Sequence, residues 1–183
     1  LGIYKSIIIS INNFPKYREE VAFEGVKYTL FISFFIFFFL ILLLLFFQGI
    51  LGDEKVFLIK YCSLGIIISL FYLCFEGIFL GNEKFKFSSL FNFIFYSLAL
   101  SVPSLILIFY QDLSLENLII ISLTIKLVTI MLMMFVLILK GLIKKNKKKL
   151  FLNNLKKNSK WLTSNSILDQ FYYLLDKYLI KIF

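Results

Sequence analysis

The feature that most limits how this chain can fold is an uncharged apolar run over residues 30–47, LFISFFIFFFLILLLLFF. As an α-helix, this run would be about 27 Å long, which is close to the thickness of the hydrocarbon core of a bilayer. The run therefore predicts a helix that spans a membrane.

Three more apolar runs follow at residues 60–81, 88–110 and 118–139, and short polar turns separate the four runs. Composition points the same way, because 60% of the residues are hydrophobic and 17% are charged, against about 45–50% and about 25% in soluble domains. The sequence predicts an all-α polytopic membrane protein in which residues 28–139 form four transmembrane helices in an antiparallel bundle. Pro103 is expected to kink the third helix.

Amphipathic segments flank the predicted membrane domain on both sides. In residues 1–27, isoleucines recur every four residues from Ile3 to Ile11, which predicts a short cytoplasmic helix lying in the membrane interface. Residues 140–183 form a basic tail that ends in a second helical pattern. This last segment, Ile167–Phe183, is predicted to lie on the membrane or to dock on a protein partner.

Basic residues are concentrated in the N-terminal segment, in the turn at residues 82–86 and in the C-terminal tail. Cytoplasmic loops of membrane proteins carry the excess of Lys and Arg. An even number of spans with two basic ends therefore predicts that both termini lie on the cytoplasmic side (N-in, C-in).

A dense lysine cluster follows the fourth span directly. Its members are Lys140, Lys144, Lys145, Lys147, Lys148 and Lys149. A Lys near the membrane surface contributes about 1 kcal/mol of attraction to anionic headgroups, so the cluster is predicted to bind anionic lipids of the bilayer. The tail contains no recognisable nucleic-acid-binding module, and no nucleic-acid partner is expected.

Composition also excludes several kinds of chemistry. The chain has no His, which removes His-ligated haem, His-based zinc sites and Ser-His-Asp triads. The two cysteines, Cys62 and Cys74, lie about 18 Å apart along one helix and cannot pair with each other. No catalytic residue, metal site or cofactor is predicted, and the chain is not expected to be an enzyme.

Polar side chains inside the spans are the candidate functional residues, because burying them in lipid is costly. Glu76 lies near the inner end of the second span and is expected to reach the headgroups, whereas Lys126 begins about 12 Å inside the fourth span. Beside Glu76, Gly77 and Gly81 allow another helix to approach closely. Polar stripes at matching depth on the third and fourth helices are predicted to face each other: Ser97, Ser101 and Ser104 on the third, and Ser122, Lys126 and Thr129 on the fourth.

Two stretches resemble a family of bacterial multi-pass membrane proteins. Residues 4–35 (YKSIIISINNFPKYREEVAFEGVKYTLFISFF) resemble the opening of this family, whose function is unknown and which is linked in part to maltodextrin utilisation. Residues 83–110 are similar to the late segment of the family, which has a Yip-type membrane fold. The resemblance implies a bacterial plasma membrane protein without established catalytic residues. This chain lacks the extracytoplasmic region that family members usually carry between the first two spans.

Three functional interpretations fit the sequence. The first is a scaffold or accessory factor of the bacterial plasma membrane. The second is a membrane subunit of a respiratory-chain complex in the mitochondrial inner membrane, encoded by an AT-rich organelle genome, because such subunits are rich in Phe and often carry isolated intramembrane Lys or Glu. The third is a small transporter component, although no internal repeat is visible.

Overall fold

The computed structural model describes residues 2–47, 53–110 and 114–144, and every regular element in those ranges is a helix. In chain order the elements are α1 (Gly2–Asn13), a 3-10 turn (Pro15–Tyr17), α2 (Arg18–Phe47), α3 (Asp53–Gly81), α4 (Phe85–Asn92), a π-helical segment (Phe93–Leu98), α5 (Ala99–Phe109) and α6 (Leu115–Leu139). Within these described ranges, four stretches are long and apolar enough to cross a membrane: Pro15–Phe46, Ser63–Gly81, Phe85–Phe109 and Glu116–Leu139. The predicted all-α polytopic fold is confirmed.

Several of the predicted features lie outside the described residues. They are the lysines at positions 145, 147, 148 and 149 and the amphipathic segment Ile167–Phe183. Of the predicted lipid-binding cluster, the structure describes Lys140 and Lys144.

The first spanning helix begins well before its apolar run. The run predicts a helix from residue 30, whereas α2 begins at Arg18 and continues without a break to Phe47. Residues 18–27 are therefore the first turns of this helix. Two acidic residues in its first turn, Glu19 and Glu20, suit this start because negative charge is favourable at a helix N-terminus.

The third spanning stretch departs from regular α-helical geometry at Phe93–Leu98. Phe91, Phe95, Ala99 and Pro103 recur every four residues along it, and all four are buried. In an α-helix, a four-residue repeat drifts by about 40° at each step, and the wider π turn absorbs part of that drift. The π segment thereby keeps one face of this stretch against the rest of the bundle. The irregularity precedes Pro103, the position of the predicted kink, which lies inside α5.

Helix α3 is the centre of the bundle. It contacts α1, α2, α4 and α6, and half of its most apolar window is buried, compared with 11–22% for the other three spans. Its largest fully buried side chains are aromatic, with Tyr72 and Phe79 both 0% exposed. The core of the protein therefore follows one side of α3, while α2, α5 and α6 direct most of their apolar surface outward.

Three parts of the chain that carry Lys or Arg meet at one end of the bundle. Arg18, which begins α2, has its guanidinium 4.0 Å from the carboxylate of Glu83, in the turn after α3. Helix α6 ends in a Schellman motif at Gly141, whose φ is +62°, with backbone hydrogen bonds from Gly141 to Ile138 and from Leu142 to Leu137. The chain turns back there, and the backbone N–H of Lys144 donates to the carbonyl of Glu19 at 3.2 Å.

The predicted N-terminal amphipathic helix is present as α1, and its apolar stripe contacts protein. Ile7 and Ile11 are both 0% exposed, because α1 packs against α2 and α3. Lys5 and Asn12 lie on its exposed side. The apolar stripe that was expected to enter the membrane interface instead forms part of the core.

Candidate functional site

A short chain of hydrogen bonds joins α3 to α4 within the membrane-spanning part of the protein. The Tyr72 hydroxyl donates to Oδ1 of Asn92. The amide Nδ2 of Asn92 donates to Oε1 of Glu76 at 2.7 Å. Tyr72 and Glu76 lie one turn apart on α3, so a single side chain from α4 spans both of them.

Aromatic rings extend this chain of contacts toward α6. The Phe95 ring stacks on Tyr72, with 3.9 Å between ring centroids, and Tyr96 meets Tyr72 edge-on at 5.4 Å. The ammonium of Lys126 lies 5.6 Å from the centroid of Phe95, within the range of a cation–π contact. The two intramembrane charges identified from the sequence, Glu76 and Lys126, are thus joined through Asn92, Tyr72 and Phe95.

Helix α1 brings a phenol to the same carboxylate. Tyr4 is half-buried, and burial followed by the negative charge of Glu76 raises the pKa of Tyr4 above its usual value of 10.0. The charge of Glu76 thus acts on a phenol of α1 as well as on its hydrogen-bond partner in α4.

Three glycines allow α1 to approach α2 and α3 closely. A Cβ atom added at Gly77 would lie 3.0 Å from the carbonyl oxygen of Tyr4, and one added at Gly81 would lie 2.9 Å from Cδ1 of Ile11. On α2, a Cβ at Gly25 would lie 3.1 Å from Ile7. The close approach predicted for the Gly77–Gly81 pair is found, and the helix that approaches is α1.

The predicted pairing of two polar stripes is not what the structure shows. Ser97, Ser101 and Ser104 are exposed, and Ser104 donates to the carbonyl of Leu100 in its own helix at 2.9 Å. They lie opposite the buried Phe95–Ala99 side of their helix, which the π segment keeps facing the bundle. Lys126 therefore meets an aromatic ring in place of hydroxyl groups.

The polar face predicted for α6 does turn toward the bundle. Thr129 is 0% exposed and donates to the carbonyl of Ile125 at 2.7 Å, while Ser122 and Lys126 are half-buried. Met133 and Leu137 continue the same side of the helix and are also 0% exposed. The inward face of α6 could thus be predicted from the sequence, although its contact with Phe95 could not.

Sequence reasoning missed Asn92 and Tyr72, which hold the site together, and the burial of Glu24, which is 4% exposed on α2. One signal for Asn92 was available. It is the only amide in the third apolar run, about seven residues from the basic turn, while Glu76 lies five or six residues from the same turn on the preceding helix. Antiparallel neighbours place these two side chains at similar depth.

The chemistry of this site is that of hydrogen bonds and aromatic contacts between helices. Among the described residues, no group of three or more His, Cys, Asp or Glu side chains is placed to hold a metal ion. Comparison with protein-family models, with curated proteins and with solved structures gave no match. The fold by itself defines the class of the protein, which is an all-α integral membrane protein with four helices able to span a bilayer.

Proposed function

We propose that this protein is a non-enzymatic scaffold or accessory factor of the bacterial plasma membrane. The observation that carries the proposal is the pairing of its membrane-depth polar groups with one another, in the Tyr72–Asn92–Glu76 chain. Interhelical hydrogen bonds of this kind stabilise packing within a bilayer, typically by about 0.6–2 kcal/mol each. A carboxylate engaged in this way serves to hold helices together.

The hydroxyl groups along the spans support the same interpretation. Thr29, Thr124 and Thr129 each donate to the carbonyl four residues earlier in their own helix, at 2.7–2.9 Å. Such bonds satisfy a hydroxyl within a lipid-embedded helix without a bound ligand. These three hydroxyl groups therefore have a structural role within their own helices.

The arrangement of the spans suggests how such a factor would work. Helix α3 holds the bundle together, whereas α2 directs a row of exposed aromatic side chains outward, among them Phe31, Phe35 and Phe38. The proposed orientation is N-in, C-in, with the basic end of the bundle and the lysine-rich tail on the cytoplasmic side, where anionic headgroups attract them. The resemblance to a bacterial membrane protein family favours this location.

Native electrophoresis of membranes solubilised in a mild detergent tests the proposal. A protein that works by itself or with a small partner is expected to migrate as a small particle, with the tagged chain as its main component. Migration in a megadalton assembly that contains redox subunits would contradict the scaffold proposal and favour the respiratory-chain subunit. Antibody detection of the tagged full-length chain after a second, denaturing dimension controls for aggregation.

A further inference from the structure

The outward face of α4 and of the first residue of the π-helical segment carries a groove. Its polar residues lie at one end and its apolar residues at the other, as the headgroup and acyl chains do in a phospholipid. This open groove has a volume of about 700 Å³ and is lined by Phe85, Lys86, Ser89, Leu90 and Phe93. All five side chains are exposed, and they occupy adjacent rows on one side of the helix.

The position of the groove along the third span sets its depth in the membrane. Phe85 is the first residue of the span, so Lys86 lies at the level of the headgroups. Phe93 is eight residues further along, about 12 Å deeper into the hydrocarbon. The groove therefore runs from the membrane surface to the upper acyl chains.

Charge and polarity change along the groove in the same direction. Lys86 and Ser89 supply a cation and a hydroxyl near the surface, and Leu90 and Phe93 supply apolar contact below them. The acidic residue nearest to Lys86 in sequence, Glu83, has its carboxylate 4.0 Å from the guanidinium of Arg18, and residues 84–98 include no Asp or Glu. An anionic phosphate attached to acyl chains complements both ends of the groove.

We propose that this groove is a binding site for one anionic phospholipid, with its phosphate at Lys86 and Ser89 and an acyl chain along Leu90 and Phe93. The site differs from the lysine cluster of the tail, because a single cation beside an apolar groove selects a lipid molecule laterally within the bilayer. It depends on the protein lying in the membrane and is independent of the proposed scaffold role.

Quenching of a tryptophan in the groove by brominated lipids tests the site. The single native tryptophan is replaced (Trp161→Phe), and Phe93→Trp provides the reporter in the full chain. The protein is reconstituted in phosphatidylcholine vesicles that contain a small fraction of brominated phosphatidylglycerol or brominated phosphatidylcholine. We expect the anionic lipid to occupy the site about fivefold more strongly, as one Lys near the surface provides.

Three further variants separate a site from a general surface charge. Lys86→Gln should reduce the ratio of anionic to neutral lipid in the groove to about one, and Lys86→Arg should retain the preference for the anionic lipid. Lys84→Gln removes an equal charge two residues away from a side chain that does not line the groove, and it should keep most of the preference. Equal quenching by the two lipids in the parent protein, or equal losses in Lys84→Gln and Lys86→Gln, would overturn the proposal.

Discussion

At the scale of single residues, the contacts of Asn92 decide how α3 and α4 are held together. Its amide satisfies the Tyr72 hydroxyl and the Glu76 carboxylate at once. Removing one member of a buried hydrogen-bonded set costs more than the bond itself contributes, because the remaining partners stay away from water. Asn92 is therefore the residue of the site whose replacement should have the largest effect.

Asn92→Leu keeps the size of the side chain and removes both hydrogen bonds. We expect it to lower the free energy of unfolding by about 1–3 kcal/mol, measured by denaturant unfolding in detergent micelles. Tyr72→Phe should cost less in the Asn92→Leu background than in the wild type, because its acceptor is already gone. Asn117→Leu, at an exposed position of α6, is the control. Equal losses for Asn92→Leu and the control would show that the hydrogen bonds do not stabilise the bundle.

Lys126 provides a second test at this scale, because its ammonium lies against the face of Phe95. Lys126→Met should change stability by no more than about 1 kcal/mol, since it loses a cation–π contact and gains a sulfur–aromatic one. Lys126→Glu places an anion against the negative face of the ring and should be clearly less stable than Lys126→Met.

The same position can be probed by chemical labelling. Cys placed at 126, in a chain with Cys62→Ser and Cys74→Ser, should react slowly with a membrane-impermeant thiol reagent. Rapid labelling from outside would show that the side chain extends into water, and the contact with Phe95 would have to be abandoned.

At the scale of elements, the docking of α1 depends on glycines in α2 and α3, which have no side chain to hold the helices apart. From Ile11 beside Gly81 to Tyr4 beside Gly77, α1 advances by about 10 Å along its own axis but by about 6 Å along α3. The helix is thus inclined to α3, and its N-terminal end lies deeper in the bundle. At Gly77 the nearest obstacle to a Cβ atom is the backbone of α1, which cannot turn aside as a side chain can.

Gly77→Ala and Gly65→Ala form a matched pair on α3. Both should gain helix propensity of up to about 1 kcal/mol. A Cβ at Gly65 would meet Leu123 at an ordinary 3.7 Å, whereas one at Gly77 would lie 3.0 Å from the Tyr4 carbonyl. Overpacking that costs about 1–3 kcal/mol of stability should therefore loosen the docking of α1 in Gly77→Ala but not in Gly65→Ala. Hydrogen exchange of the α1 amides measures this, and unchanged protection in Gly77→Ala would contradict the close packing.

At the scale of the whole molecule, charge is gathered at one end of the bundle. The start of α2, the turn after α3 and the end of α6 meet there through the Arg18–Glu83 ion pair and the hydrogen bond from Lys144 to Glu19. Three segments that carry Lys or Arg and are distant in sequence thus lie at the same end of the four spans. The side of the membrane that this end faces is a prediction from the excess of Lys and Arg.

Reporter fusions test that orientation. Fusions after Lys86 and after Leu150 should both report the cytoplasmic side, because basic residues precede both positions and the excess of Lys and Arg predicts that side. A fusion within residues 111–113, which connect the third and fourth spans in sequence, should report the opposite side and serves as the control. An external signal from the fusion after Leu150 would contradict the four-span topology.

The sequence by itself determined the class of fold and the positions of the spans. The apolar runs that end at Phe47, Gly81 and Leu139 end where their helices end, because a long apolar run is enough to specify a spanning helix. The inward face of α6 and the close-packing glycines of α3 could also be predicted, since both follow from local periodicity and residue size.

Only the tertiary structure decided which residues the polar stripes, Lys126 and helix α1 contact. The serine stripe of the third span faces outward because Ser97 and Ser101 lie about half a turn away from Phe95 and Ala99, which are buried against the bundle, and Lys126 lies over the ring of Phe95. Helix α1 is buried because glycines on two other helices leave room for it. In a bilayer every spanning helix can place apolar side chains on any side, so hydrophobicity does not fix the rotation of a helix about its axis. Packing and hydrogen bonds between particular side chains, such as Asn92 with Glu76, fix that rotation, and they depend on neighbours that are distant in the chain.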